Sequence, residues 1–406
     1  KFYSIVCYKL SRTFISLISE TPDDIKTGVQ SKNESIHLDE ILKTDTQYRE
    51  KVHELDELRA KRNKSSDAIA QAKRDGVNSD KAIAEMRAVS DTIKSIEKEV
   101  NDIKNLLDTK LELIPNIPHS NVPVGKDESS NVIIREWGEP KNVEYKLKSH
   151  VDLGTSLELF DLERGSKISG SGFPLLTGLG SKLERALINF MLDFHVSEHG
   201  YKEIFPPFLT RPNSPYTCGQ LPKFSDDMYY IEKDELYLIP TAEVPLTNLF
   251  ADEIIDENNL PKKYAAYSAC FRREAGSYGK DTRGLLRLHQ FNKVEMVKFV
   301  KPDSSYDELE KLTKQAEAIL QQLGLHYRVV ELCTGDLSFA AAKCYDLEVW
   351  APGEGKWLEV SSCSNFEDFQ ARRGNIRYRR SDDKKVDYVH TLNGSGLATP
   401  RLMVAL

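Results

Sequence analysis

The chain has 406 residues, 40% of them hydrophobic and 29% charged, with a formal net charge of -7. That length holds two domains or three, and the composition is that of a soluble globular protein. The acidic balance excludes a wholly basic nucleic-acid binder, so any RNA contact must come from a local patch. No apolar run reaches the length of a membrane-spanning helix. The six cysteines, at 7, 218, 270, 333, 344 and 363, include no Cys-x-x-Cys pair, which fits a reducing compartment and no zinc site.

The first residues, KFYSIVCYKLSRTFIS, carry two Lys and one Arg, and no acid precedes Glu20. They read either as an ordinary N-terminal segment or as the remnant of a transit peptide. The compartment therefore reads as cytoplasmic, with a mitochondrial or plastid matrix as the alternative. From Ile36 to Leu111 Gly occurs once and Pro not at all. Ile83, Met86, Ile93, Ile96, Val100, Ile103 and Leu107 follow three-and-four spacing, as Leu38, Ile41, Tyr48, Val52 and Leu55 do less regularly. The segment DGVNSD (75–80) between them is a turn, with Ser79 as the N-cap. The pattern predicts two long helices packed antiparallel as a coiled-coil hairpin. A helix over 38–74 is about 55 Å long at 1.5 Å per residue. Residues 58–74 hold six Lys or Arg against one Asp, either a solvated face or a stripe for an anionic partner.

Residues 113–132 are dense in Pro, Asn and Ser and mark a boundary, giving domains at 1–115 and 116–406. SGSGF (169–173) lacks the lysine of a P-loop and reads as a turn before a strand. Ser181 to His199 is an amphipathic helix, with Leu183, Leu187, Phe190, Met191 and Phe194 on one face and Gly200 at its end. GYKEIFPPFL (200–209) follows as a strand broken by Pro206-Pro207, hence an edge or a bulge. This pair either covers a sheet or forms an interface.

The strand LYLIP (236–240) leads to Thr241-Ala242-Glu243, a tripeptide that by itself resembles a helix start. Residues 264–274 and 289–300 read as two strands joined by a loop with three Gly and several charges, which projects into solvent. Period-two geometry puts Arg272 and Glu274 on one face of the first strand, and Phe291, Lys293, Glu295 and Val297 on one face of the second. Arg suits phosphate through its planar fork, and a carboxylate such as Glu295 on a half-buried strand is costly unless paired. The plainer reading is a hairpin with solvated salt bridges. Pro302 to Leu323 forms a helix capped by Gly324, and HYRVVEL (326–332) a strand. Glu359 and Ser362 lie three apart and need a bend to face one ion. In TLNGSGLATPRLMVAL (391–406), Gly394 and Gly396 flank Ser395 in a tight turn. Pro400 suits the first turn of a helix and puts Arg401 at its start.

In order and spacing these segments resemble the seryl-tRNA synthetase family of class II aminoacyl-tRNA synthetases, in its bacterial and organellar form. FRREAG (271–276), GKDTRGLLRLHQF (279–291) and KVEMVKF (293–299) resemble motif 2. The helix and Pro-broken strand resemble motif 1, and the stretch around Arg401 motif 3. IPNIPH, VPVGKDESSNV, GQLPKF and TAE recur as well, so the likeness runs from about Ile18 to the end. It departs at Thr217-Cys218 and Thr399-Pro400, where the family has Gly-Thr and Val-Gly, and the chain ends before the family's usual C-terminal tail.

The resemblance implies an α+β fold, with a coiled-coil arm before a catalytic domain built on an antiparallel sheet flanked by helices. It implies ATP-dependent ligation of L-serine to tRNA(Ser) through a seryl-adenylate, with tRNA(Sec) open as a second acceptor. The arm would grip the tRNA, and the motif 1 helix and strand would build a homodimer. It implies Arg272 and Arg401 as catalytic residues, and Thr241, Ala242, Glu243, Arg272, Glu295 and Ser395 as the serine site. ATP would meet Arg272, Arg273, Glu274, Leu288, Phe291, Glu359, Val360, Ser361, Ser362 and Arg401, with magnesium held by Glu359 and Ser362. An enzyme loading an amino acid onto a carrier protein is the alternative, but such relatives lack the long basic arm. A catalytically dead homologue would have lost Arg272, Glu274, Glu359 or Arg401, and all four are present.

Overall fold

The computed structural model of the protein describes residues 15, 18, 20–76, 78–140, 143–275 and 282–406. The acid-poor leader, apart from residue 15, and residues 276–281 of the 275–288 loop lie outside the described residues. The chain divides into two compact units, one of residues 1–30 with 35–114 and one of residues 31–34 with 115–406.

The first unit is helical. After α1 (Pro22–Ser31) come α2 (Leu38–Arg74) and α3 (Asp80–Glu112). Neither long helix has an interior Gly or Pro, and α2 begins with Asp39 and Glu40 and ends with Lys73 and Arg74, matching its dipole. Gly76 turns the chain at a φ of +70°, and Ser79 is the N-cap of α3, though its side chain makes no capping bond. Along the seam between α2 and α3, Leu55, Ile93, Ile96 and Val100 are buried, flanked by Tyr48, Val52, Leu58 and Val89. Ion pairs cross it at Lys51–Glu99 (2.9 Å), Arg59–Glu97 (2.8 Å) and Lys110–Glu40 (2.8 Å). Towards the turn, Lys61, Lys64, Lys73 and Arg74 stay exposed and join no ion pair among the described residues.

The second unit is built on an eight-stranded sheet. Its strands are β1 (Val132–Trp137), β2 (Lys202–Glu203), β3 (Lys262–Phe271), β4 (Gln290–Val300), β5 (Tyr327–Glu331), β6 (Lys343–Ala351), β7 (Lys356–Asn365) and β8 (His390–Ala398). The order is β1-β5-β6-β7-β8-β4-β3-β2, antiparallel throughout except between β3 and the short edge strand β2. Pro206-Pro207 follow that edge, where no further ladder bond is needed.

Alternation along β4 divides the unit. Val294 and Met296 point into the main core with Leu187 and Met191 of α4 (Gly178–Ser197) and Leu309, Leu312 and Ile319 of α6 (Ser305–Gln322). Val297 and Phe299 point the other way. They pack against Ala242, against Leu246 of α5 (Glu243–Thr247) and against Ala371 of α7 (Phe369–Gly374). The last helix, α8 (Thr399–Ala405), follows β8 directly and buries Leu402 in the main core.

Two local expectations are corrected. β3 ends at Phe271, because the next amides are drawn in different directions: Arg272 N still donates to the His289 carbonyl (2.9 Å), but Arg273 N donates to Asp227 O (2.9 Å). Glu274 then adopts a φ of +53°, so Arg272 and Glu274 share a loop and not a strand face. Likewise, Gly394 and Gly396 lie within β8 and form no tight turn. A Cβ on Gly394 would stand 2.9 Å from Cys363 Sγ and from Leu312, and one on Gly396 2.6 Å from His195 Nε2. Both glycines are there because neighbouring side chains approach the strand closely.

Candidate active site

A cavity of about 700 Å³ opens on the face of the sheet that carries α5 and α7. Phe291 and Lys293 of β4 line it, and Glu295, two residues further, lies behind them with no exposed surface. Burying an unpaired carboxylate costs several kcal/mol. Here Glu295 accepts from Thr241 Oγ1 (2.9 Å) and Asn393 Nδ2 (3.2 Å), and forms an ion pair with Lys293. The ladder between β4 and β8 passes from Val294–Leu397 to Glu295–Ser395. Gly396 is the extra residue, and this bulge sets Ser395 beside Glu295.

Thr241 and Glu243 enter from the start of α5, with Glu243 N donating to Thr241 Oγ1 (3.2 Å). Gln370 Nε2 of α7 donates to Glu243 Oε1 (2.7 Å). Burial pushes the Glu243 carboxyl up to about 7, and the charge of Glu295 adds to the push. This end of the cavity therefore joins two buried carboxylates, which accept, to two hydroxyls, a set suited to a small ammonium compound that also carries a hydroxyl.

The other end is cationic. Arg272 donates through Nε to Pro240 O (3.3 Å), and its guanidinium stands 5.2 Å from the centre of the Phe291 ring. Arg287 Nη1 donates to Glu274 Oε2 (2.6 Å). Arg401, in the first turn of α8, donates to the Leu286 carbonyl (3.3 Å) and to the backbone (3.0 Å) and carboxylate (3.3 Å) of Glu359. The ladder between β6 and β7 passes from Glu348–Glu359 to Leu347–Ser361 and skips Val360. That bulge supplies the bend needed to turn Glu359 and Ser362 to one side, and both line the cavity. A carboxylate and a hydroxyl are hard oxygen donors that fit magnesium. No group of three or more His, Cys, Asp or Glu could hold a metal among the described residues, so such an ion would take its remaining ligands from water and phosphate.

Twelve of the fifteen residues singled out from the sequence line this one cavity. Glu295 backs it through Thr241, Lys293 and Asn393, all of which line it. Ala242 is corrected: its side chain has no exposed surface and packs in the core beside Leu246 and Val297. Arg273 is corrected too: in the loop beyond β3 its amide donates to Asp227 O (2.9 Å), and its side chain donates to Met228 O (2.9 Å) with its guanidinium 4.8 Å from the Tyr229 ring centre. Lys293 was placed on the face of Glu295 but given no role, and Arg287, Asn393 and Gln370 were not singled out. Asn393 had a signal, since it lies two residues before Ser395 on one strand; Gln370 had none.

The two departures from the family pattern leave the cavity intact. Cys218 is buried against it, with a thiol that burial pushes well up. Thr399 Oγ1 lies 2.5 Å from Glu184 Oε1 and 3.0 Å from Asn292 O, which ties the start of α8 to α4 and β4.

Residues 15–118 match the model of the seryl-tRNA synthetase N-terminal domain, and residues 223–406 that of the class II tRNA synthetase core domain for G, H, P, S and T. The serine--tRNA ligase of Carboxydothermus hydrogenoformans is 53% identical over 392 residues, covering 97% of this chain and 92% of that protein. That of Chloroherpeton thalassium is 54% identical over 397 residues, covering 97% and 93%. The crystal structure of seryl-tRNA synthetase from Pyrococcus horikoshii complexed with ATP superposes with a TM-score of 0.87 at 42% identity, covering 96% of this chain and 92% of that one.

Proposed function

The chain belongs to the seryl-tRNA synthetase family, and from that premise we propose that its cavity activates L-serine with ATP and passes it to tRNA(Ser). One observation carries the reading: the paired carboxylates and the two arginines, far apart in sequence, line or directly back a single cavity. In the first step the serine carboxylate attacks the α-phosphorus of ATP, forming seryl-adenylate and releasing pyrophosphate. Glu243 receives the ammonium, and Thr241, Glu295 and Ser395 hold the hydroxyl end. Arg272 and Arg401 offset the charge that develops on the phosphates, and the gain is positional and electrostatic. Glu274 takes the adenine amino group, while Phe291 and Leu288 lie against the ring. Glu359 and Ser362 would hold a magnesium ion, which when bound neutralises phosphate charge. In the second step a hydroxyl of the terminal tRNA ribose attacks the adenylate carbonyl and AMP leaves.

Residues 1–115 serve as the tRNA-binding arm and 116–406 as the catalytic domain. The exposed basic residues near the turn of the arm meet phosphate and sugar, which makes binding sensitive to salt and to RNA shape. Loading of a carrier protein has no support, since the N-terminal match is to a tRNA-charging family. The motif 1 helix α4 and the segment after it would pair two copies through exposed apolar residues such as Leu179, Phe205 and Leu209. No described helix is long and apolar enough to cross a membrane. The cysteines among the described residues are free, and we place the reaction in the cytoplasm. The test is charging of tRNA(Ser) and tRNA(Sec) transcripts with labelled serine. ATP-dependent, alkali-labile labelling of tRNA(Ser) is expected, and its absence would overturn the reading.

A further inference from the structure

Behind the amino-acid end of the cavity lies a buried side chain that the two-step chemistry does not use. Gln370, in α7, is 1% exposed and does not reach the cavity itself. Its Nε2 donates to Glu243 Oε1 (2.7 Å), and its Oε1 accepts from the hydroxyl of Thr391 (2.8 Å), a residue of β8 with no exposed surface. The Thr391 hydroxyl, as donor, selects the carbonyl end of the Gln370 amide. The NH2 end must then face Glu243, which as a carboxylate can only accept. The α7 anchor is itself rigid: Arg373 donates to the carbonyls of Tyr216 (2.7 Å) and Leu221 (2.8 Å) and stacks on Tyr216 at 4.0 Å. Among the described residues Glu243 Oε2 receives no hydrogen bond, so the bracket occupies one oxygen and leaves the other toward the cavity.

We propose that Gln370, oriented by Thr391, is a positioning residue for amino-acid recognition, holding Glu243 as the acceptor of the substrate ammonium. The inference rests on the reading of Glu243 given above. Its physical content is a charge problem. Glu243 faces Glu295 and the thiol of Cys218, while Lys293 and Arg272 act on it from β4 and from the loop after β3. Burial and Glu295 favour its protonated form, whereas the Gln370 donor, Lys293 and Arg272 favour the carboxylate. The carboxylate, and not the protonated acid, pairs with an ammonium, and burial raises the Glu243 carboxyl to about 7, which together give the pH dependence its sign. Ammonium binding strengthens as pH rises through that value, and removing the Gln370 donor moves the transition to higher pH.

The experiment is serine-dependent ATP–pyrophosphate exchange by the full chain between pH 6 and 8.5, with Gln370→Met, Thr391→Val and Glu243→Gln. A hydrogen bond to a charged group is worth roughly a tenfold to hundredfold change in an equilibrium constant. Gln370→Met is therefore expected to raise the KM for serine by about tenfold or more at pH 7, to leave the KM for ATP within about twofold, and to recover towards pH 8.5. Thr391→Val, which frees the amide to turn over, should show a smaller shift of the same sign, and supplies the test should Gln370→Met fail to fold. Glu243→Gln should raise the serine KM at every pH. If Glu243→Gln does so but neither bracket variant moves the pH transition, the role of Gln370 is overturned. If Glu243→Gln leaves the serine KM unchanged, the reading of Glu243 falls, and this inference with it.

Discussion

Glu295 has the most to lose by substitution, because its charge is buried and every contact it makes belongs to the site. Replacing it with Gln keeps the shape but removes the charge that answers Lys293 and, in the proposed function, the substrate hydroxyl. A site built to hydrogen-bond a hydroxyl discriminates by about 10⁴ or more when that acceptor is intact. Glu295→Gln should therefore cut kcat/KM for serine by at least about 10²-fold in pyrophosphate exchange, with the fold retained by circular dichroism; unchanged exchange would discredit the pocket. Glu359→Gln should raise the magnesium concentration needed for half-maximal exchange, and an unaltered magnesium titration would remove Glu359 from the metal. At this scale the sequence was readable wherever a residue's neighbours sit at fixed offsets. Phe291, Lys293 and Glu295 follow from period two, and the need for a bend between Glu359 and Ser362 is met by the bulge at Val360. Gln370 was not readable, because it contacts Glu243 from 127 positions away and nothing local marks it.

At the scale of elements, α2 and α3 were legible almost to the residue, since a long stretch free of Pro and interior Gly with one apolar seam admits few alternatives. β8 was misread because Gly-rich segments look like turns. Only the sheet shows that Cys363, Leu312 and His195 crowd the strand and leave no room for a Cβ. The arm carries a prediction of its own. No residue of 58–88 is among the described residues that line the cavity, so replacing residues 58–88 with a short turn should spare adenylate formation. Charging of tRNA(Ser) should fall by about 10²-fold or more, as expected when several phosphate contacts are lost. Charging that survives the deletion would show that the tRNA is held elsewhere. The sheet has a matching stability test. Leu312 has no exposed surface in the main core, so Leu312→Ala should cost about 2–5 kcal/mol, read as a lower midpoint of denaturant unfolding.

Across the whole molecule, the design joins a thin helical arm with little core of its own to a sheet whose two faces do different work. One face is filled by α4 and α6, and the other carries α5, α7 and the cavity. The division was visible in composition, but the meeting of Thr241, Glu243, Arg272, Phe291, Glu359, Ser362, Ser395 and Arg401 in one cavity was not, since it depends on strand order. The same exposed apolar residues around α4 that suit pairing of two copies predict a dimer in sedimentation equilibrium, whereas a monomer at micromolar concentration would refute that interface. The central claim is that this cavity recognises an amino acid by its hydroxyl and ammonium and activates it with ATP. The most direct measurement is ATP–pyrophosphate exchange by the full chain with serine, threonine, alanine and glycine offered singly. Exchange with serine, exceeding each of the others by at least about 10²-fold in kcat/KM, is the expected result; comparable exchange with alanine, or none with serine, would contradict the account.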